Sequence, residues 1–133
     1  MDLNQQIKSD EGLRLKPYKC TAGKLTIGYG YNLENGIPQN FADMLFDLSI
    51  QSATRDAVSI ISDYDLKPSW QLRDILIQMC FQLGGQGVRG FKKMLTALEK
   101  SDYVTAAKEM LDSDWHKQTP KRCERLASEM SFL

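Results

Sequence analysis

Pro17-Tyr18-Lys19-Cys20-Thr21-Ala22-Gly23-Lys24-Leu25-Thr26-Ile27-Gly28-Tyr29-Gly30-Tyr31 is the stretch that decides the fold. Two β-prone runs, 17–20 and 25–31, flank the small-residue turn 21–24, which is the pattern of a hairpin and the only convincing strand pair in the chain. On its N-terminal side Leu3, Ile7 and Leu13 fall near helical spacing, and Glu11-Gly12 supplies a stop, so a first helix ends near Glu11. On its C-terminal side the pattern is helical throughout. Apolar residues at 41, 44, 45 and 48, then at 50, 53, 57, 60, 61 and 64, predict two helices or one bent helix ending before Pro68. Leu72, Ile75, Leu76, Met79, Cys80 and Leu83 mark a core helix interrupted at Gly84-Gly85, and four glycines crowd the tight connection to Phe91. Asp102 caps a helix with Tyr103, Ala106, Ala107, Met110 and Leu111 turned inward. Thr119, through its hydroxyl, and Pro120 start a last helix that buries Cys123, Leu126, Ala127 and Met130. Trp70 and Trp115 read as core anchors, and Met44, Met79, Met94, Met110 and Met130 as core filling. The class is α+β: a β-hairpin lobe over 12–40, a helical lobe from 1–11 and 66–133, and a helical connection over 41–65. A cleft between such unlike lobes is the expected place for a site.

The 133 residues are 42% hydrophobic, with 17 Lys and Arg against 17 Asp and Glu. This composition belongs to a globular domain with a real core, and it excludes a disordered tail. No apolar run approaches the ~20 residues of a membrane span, and the N-terminus lacks the basic and apolar regions of a secretory signal. Zero formal charge argues against nucleic-acid binding or stable membrane attachment through bulk electrostatics. Cysteines at 20, 80 and 123 are odd in number and widely spaced, and the single His116 cannot build a His-based triad or a multi-histidine metal site.

Three polar residues converge where the cleft is expected: Glu11 at the end of the first helix, Cys20 closing the first strand, and Thr26 early in the second. A four- or five-residue turn sets position 20 across from 25 or 26. Glycines alternating at 28 and 30 leave room for a backbone or ligand to approach. Singly, each has a structural explanation: a solvated Glu, a small buried Cys, a strand-favouring Thr.

Together, Asp10-Glu11-Gly12-Leu13-Arg14-Leu15-Lys16-Pro17-Tyr18-Lys19-Cys20 and Leu25-Thr26-Ile27-Gly28-Tyr29-Gly30 resemble the active-site hairpin of the lysozymes of T-even bacteriophages and related endolysins. The family motif is Glu, eight residues, Asp or Cys, five residues, Thr, and Glu11, Cys20 and Thr26 stand at that spacing. Two further blocks, Phe81-Gln82-Leu83-Gly84 through Gly87-Val88-Arg89-Gly90-Phe91 and Trp115 through Arg122, match in order, whereas residues 32–66 do not match in detail and look shortened. The resemblance implies a muramidase that cleaves the β-1,4 bond between N-acetylmuramic acid and N-acetylglucosamine in peptidoglycan, with no metal or cofactor. It implies Glu11 as general acid in a partly buried cleft, Thr26 holding the attacking water with Cys20 assisting, Gly30, Phe81 and Gln82 lining the sugar groove, and Arg122 supporting the Glu.

Cys20 stands where the family most often has Asp, so the second carboxylate is missing. A thiol ends one atom sooner than a carboxylate and widens the gap, which favours inversion over a covalent route through sulfur. Zero net charge predicts only a modest salt effect on activity, with Arg122, Arg125, Lys92 and Lys93 as the first suspects if a basic face exists. A monomer is expected, held in the host cytoplasm until the membrane is permeabilised. Two rival readings share the fold: a binding module for glycan or protein that no longer cuts, and a secreted antibacterial effector.

Overall fold

A computed structural model describes residues 1–133. The elements run in the order α1 (Leu3–Glu11), β1 (Arg14–Lys19), β2 (Leu25–Gly28), β3 (Tyr31–Asn32), a 3-10 turn (Leu33–Asn35), α2 (Gln39–Asp63), α3 (Trp70–Arg89), α4 (Lys92–Glu99), α5 (Tyr103–Leu111), α6 (Asp114–Gln118) and α7 (Pro120–Ser131). Seven helices and one small antiparallel sheet make the expected α+β fold. No helix is long and apolar enough to cross a membrane. The chain divides into two compact units, Met1–Leu45 and Phe46–Leu133, with the boundary inside α2.

In the first unit, α1 is set by its ends. Asp2 accepts from the Gln5 amide at 2.8 Å while the Gln5 side chain accepts from the Asp2 amide at 3.0 Å, a reciprocal capping box. Gly12, at φ 72°, stops the helix and donates to the Lys8 carbonyl at 2.9 Å. The sheet order is β1-β2-β3, with Tyr18 opposite Thr26, Lys19 opposite Leu25 and Thr26 opposite Asn32. The register between β1 and β2 shifts between Arg14 and Tyr18. The second β-prone run is two strands and not one, because Gly28 and Gly30 take φ of 69° and 80° and reverse the chain between them. Thr26 is the only buried residue of this unit.

The second unit holds the core. Ala53, Ala57 and Ile60 of α2 join Leu72, Ile75, Leu76, Met79 and Cys80 of α3, Met94, Leu95 and Leu98 of α4, Ala106 and Met110 of α5, Trp115, and Cys123, Leu126, Ala127 and Met130 of α7. The buried face expected of α7 is the one observed. α2 is a single 25-residue helix ending five residues before Pro68. Gly84, at φ 76° and ψ 159°, breaks α3 where the glycine pair predicts an interruption.

Four expectations are corrected. Trp115 is an anchor, 3% exposed, but Trp70 is 67% exposed at the start of α3. Met44 is exposed, unlike Met79, Met94, Met110 and Met130, because the apolar stripe of α2 meets the core only from Ala53 onward. Leu111 closes α5 on its outer side and is exposed. The Thr119 hydroxyl makes no cap on α7; it donates to the Trp115 carbonyl at 3.4 Å and accepts from Gln82 Nε2 at 3.2 Å, so one local and one long-range partner have claimed it. The short helices α4 and α6 are not delimited in the sequence, where only Met94 of α4 reads as core filling, and it is buried.

Candidate active site

Glu11 is the last residue of α1, and its exposed carboxylate lies over the Gly30 backbone. A β-carbon built on Gly30 would stand 2.5 Å from Glu11 Oε2 and 3.2 Å from Cδ, closer than any real side chain tolerates. Gly30 is favoured by its φ of 80°, and its missing side chain leaves the room that the Glu11 carboxylate occupies. Lys8, one turn before Glu11, places its ammonium 5.4 Å from the ring of Tyr29, which ties α1 to the turn that presents Gly30. That contact has no signature in the motif spacing. The expectation of a partly buried Glu11 gives way to an exposed one, since α1 has no buried residue.

Cys20 and Thr26 meet across the hairpin turn. Cys20 N–H donates to the Lys24 carbonyl at 2.9 Å and Gly23 N–H to the Cys20 carbonyl at 2.8 Å, so position 20 faces Lys24, one residue nearer the turn than the spacing suggests. The thiol is half-buried. The backbone N–H groups of Lys24 and then Ala22 point at the sulfur and hold the thiol below its ordinary range; partial burial opposes them, and the Thr26 hydroxyl adds to the lowering. Thr26 donates to the Lys24 carbonyl at 2.8 Å. Its single proton serves that carbonyl beside a neutral thiol and can turn to the sulfur when a thiolate forms, leaving lone pairs for a water.

The other residues that the resemblance selects belong to the second unit. Phe81 is 40% exposed and its ring lies 5.6 Å from that of Phe46. Gln82 is half-buried and joins three helices: its Oε1 accepts from Trp115 Nε1 at 2.9 Å and its Nε2 donates to Thr119 at 3.2 Å. Both ends of its amide are thus held by the protein itself. Arg122 is half-buried in the first turn of α7. The structure brings Glu11 to Gly30, Cys20 to Thr26, and Gln82 to the segment leading into Arg122. No group of three or more His, Cys, Asp or Glu side chains is placed to hold a metal.

A small sheet carrying Cys20 and Thr26 beside a helix that ends on Glu11, followed by a helical unit, is the arrangement of a lysozyme-type glycoside hydrolase. The phage lysozyme family model matches residues 8–128, and the chain belongs to that family. It is 30% identical to "Probable T4-type lysozyme 1" of Dictyostelium discoideum over 95% of this chain and 91% of the relative, and 29% identical to "Probable T4-type lysozyme 2" of the same organism with the same coverage. The first alignment runs over 158 positions, more than the 133 residues here, so that relative carries residues this chain lacks. The chain is also 31% identical to the "Pre-baseplate central spike protein Gp5" of Enterobacteria phage T4, over 95% of its own length and 27% of that protein.

Proposed function

We propose that the chain is a muramidase that hydrolyses the β-1,4 bond between N-acetylmuramic acid and N-acetylglucosamine, with Glu11 as general acid. The observation that carries this reading is the Glu11 carboxylate lying over the Gly30 backbone, where a β-carbon would stand 2.5 Å from its Oε2. Expelling a sugar oxygen near neutral pH needs a proton delivered in the transition state, and a carboxyl at the end of α1 beside the hairpin can deliver it. Cys20 and Thr26 form the second element. The hydroxyl and the thiol beside it hold and polarise a water that attacks the opposite face of the sugar, which gives inversion at the anomeric carbon. A thiol below its ordinary range also favours the rival covalent route through sulfur, so the two are separated by stereochemistry. Proton NMR of the first-formed reducing sugar is expected to show the α-anomer; an initial β-anomer, or a sugar adduct on Cys20, would exclude the water route. Glu11→Gln is expected to abolish clearing of purified peptidoglycan with folding intact, because an amide of equal size delivers no proton. Full clearing by that variant would remove Glu11 from the mechanism.

A further inference from the structure

Trp70 is 67% exposed at the start of α3, and Phe132, just past α7, is 86% exposed. An apolar side chain exposed singly calls for no explanation. These two share a groove of about 500 Å³ with Gln71, Asp74, Gln78 and Glu129, and it lies wholly in the second unit. Trp70, Asp74 and Gln78 recur every four residues, so they follow one another along one face of α3 over about 12 Å. Ile75, which also lines the groove, is buried in the core and gives it a packed floor. The charges on its walls are matched. Asp74 Oδ1 meets Arg73 Nε at 3.8 Å, and Glu129 Oε1 meets Arg125 Nη1 at 3.4 Å. Each carboxylate uses one oxygen on its arginine and keeps the other to accept. Gln78 Oε1 accepts from Arg125 Nη2 at 3.2 Å, which leaves the two N–H groups of its amide as donors.

We infer that this groove is a second saccharide site, which takes the flat face of a β-1,4-linked N-acetylhexosamine segment on Trp70. Its chemistry selects a neutral sugar over other ligands. Two acids are matched by two arginines, so the groove presents no net field to a cation, which the two aromatic rings would otherwise suit. A purely apolar ligand would cover the carboxylates and the Gln78 amide without giving them partners, which is costly. A pyranose with equatorial substituents meets both demands. Its axial C–H groups form an apolar face for the indole, while its hydroxyl and acetamido groups donate to the carboxylates and accept from the Gln78 amide. A run of about 12 Å is longer than one such ring, so the groove suits a segment of chain and not a single sugar. That the chain is the peptidoglycan glycan rests on the muramidase reading; the sugar chemistry of the groove does not. The unit that holds this site carries neither Cys20 nor Thr26, so the site acts by retaining the insoluble polymer and takes no part in the reaction.

The test reads the groove itself and then retention. In the full-length Glu11→Gln chain, tri-N-acetylchitotriose is titrated while the indole N–H resonances are followed by NMR; the Trp70 signal is the one absent from a Trp70→Tyr variant. That signal is expected to shift and saturate alike at about 0.01 M and about 0.15 M salt, because no net charge is engaged. A Trp70 signal that does not move, or a shift that salt erases, would overturn the proposal. So would a shift produced by tetramethylammonium chloride and not by the sugar, which would assign the groove to a cation. In the same Glu11→Gln background, Trp70→Ala is expected to lower retention on pelleted insoluble peptidoglycan ~10-fold, the scale of one aromatic contact, and Trp70→Tyr to restore most of it. Val104→Ala, which trims an exposed apolar side chain on α5, is expected to match the parent. Equal retention by Trp70→Ala and the parent, both folded by circular dichroism, would also overturn the proposal. Failure of the muramidase reading shows separately, as a wild-type chain that clears no peptidoglycan while the sugar still shifts Trp70.

Discussion

Replacing Gly30 by Ala separates the two reasons for that glycine. The new β-carbon would sit 2.5 Å from Glu11 Oε2, against an ordinary contact of about 3.5 Å, so the carboxylate must retreat by roughly 1 Å. A side chain at φ 80° also costs about 1–2 kcal/mol of backbone strain. Gly36→Ala is the matched control, since Gly36 has φ 77° and open space where its β-carbon would go. Both variants should lose about 1–2 kcal/mol in urea denaturation. Only Gly30→Ala should lose activity at matched folded fraction, by up to ~100-fold in the rate of peptidoglycan clearing, the scale set by a 1 Å misplacement of a reacting group. Equal clearing by the two variants would refute the view that this contact fixes the acid.

Among the cysteines, Cys20 should be alkylated fastest, with its rate rising at a pH below that of an ordinary thiol, because only Cys20 is partly exposed and its pKa is lowered by the turn amides; mass spectrometry of the modified peptide reads this directly. Burial pushes Cys80 and Cys123 up to about 11, so both bind their protons more tightly folded than unfolded. The stability this gives is complete below the ordinary thiol pKa and is lost as pH rises toward 11, an alkaline decline of order 1–2 kcal/mol per cysteine in denaturant titrations. Gln82→Leu should destabilise by about 1–3 kcal/mol, since it leaves the Trp115 indole N–H without its acceptor. Unchanged stability with lost activity would instead assign Gln82 to the sugar groove.

What the sequence made legible follows from range. The end of α1 at Glu11, the turn at 21–24, the break at Gly84 and the buried face of α7 all rest on residues within a turn or two of each other. Trp70 and Met44 were misjudged because periodicity marks a stripe without marking where the core begins along it. Thr119 carries a strong local capping signal, and only its partners Gln82 and Trp115, 37 and 4 residues away, show why it does otherwise. At the site, the spacing of Glu11, Cys20 and Thr26 was readable as a motif. The closeness of Gly30 to Glu11, the Lys8–Tyr29 contact and the double tether of Gln82 were not, since each depends on how the chain returns on itself. Counting charge over the whole chain likewise hides that residues 12–33 carry four cations and no acid.

The first 45 residues bury a single side chain, Thr26, whereas every other buried residue lies from Ala53 onward. Free energy of opening follows buried apolar contact, so the two parts of the chain should not share one protection level. In native-state hydrogen exchange the amides of β1 and β2 should exchange through local openings far cheaper than global unfolding, while those around Leu76, Met110 and Leu126 wait for the whole helical unit to come apart. A protease meeting the folded protein should cut first between residues 12 and 36 and leave a resistant fragment from α2 onward. The proposed chemistry is thus mounted on the most labile part of the molecule, where a bound glycan strand would register as slowed exchange before it registered as a shift in global stability.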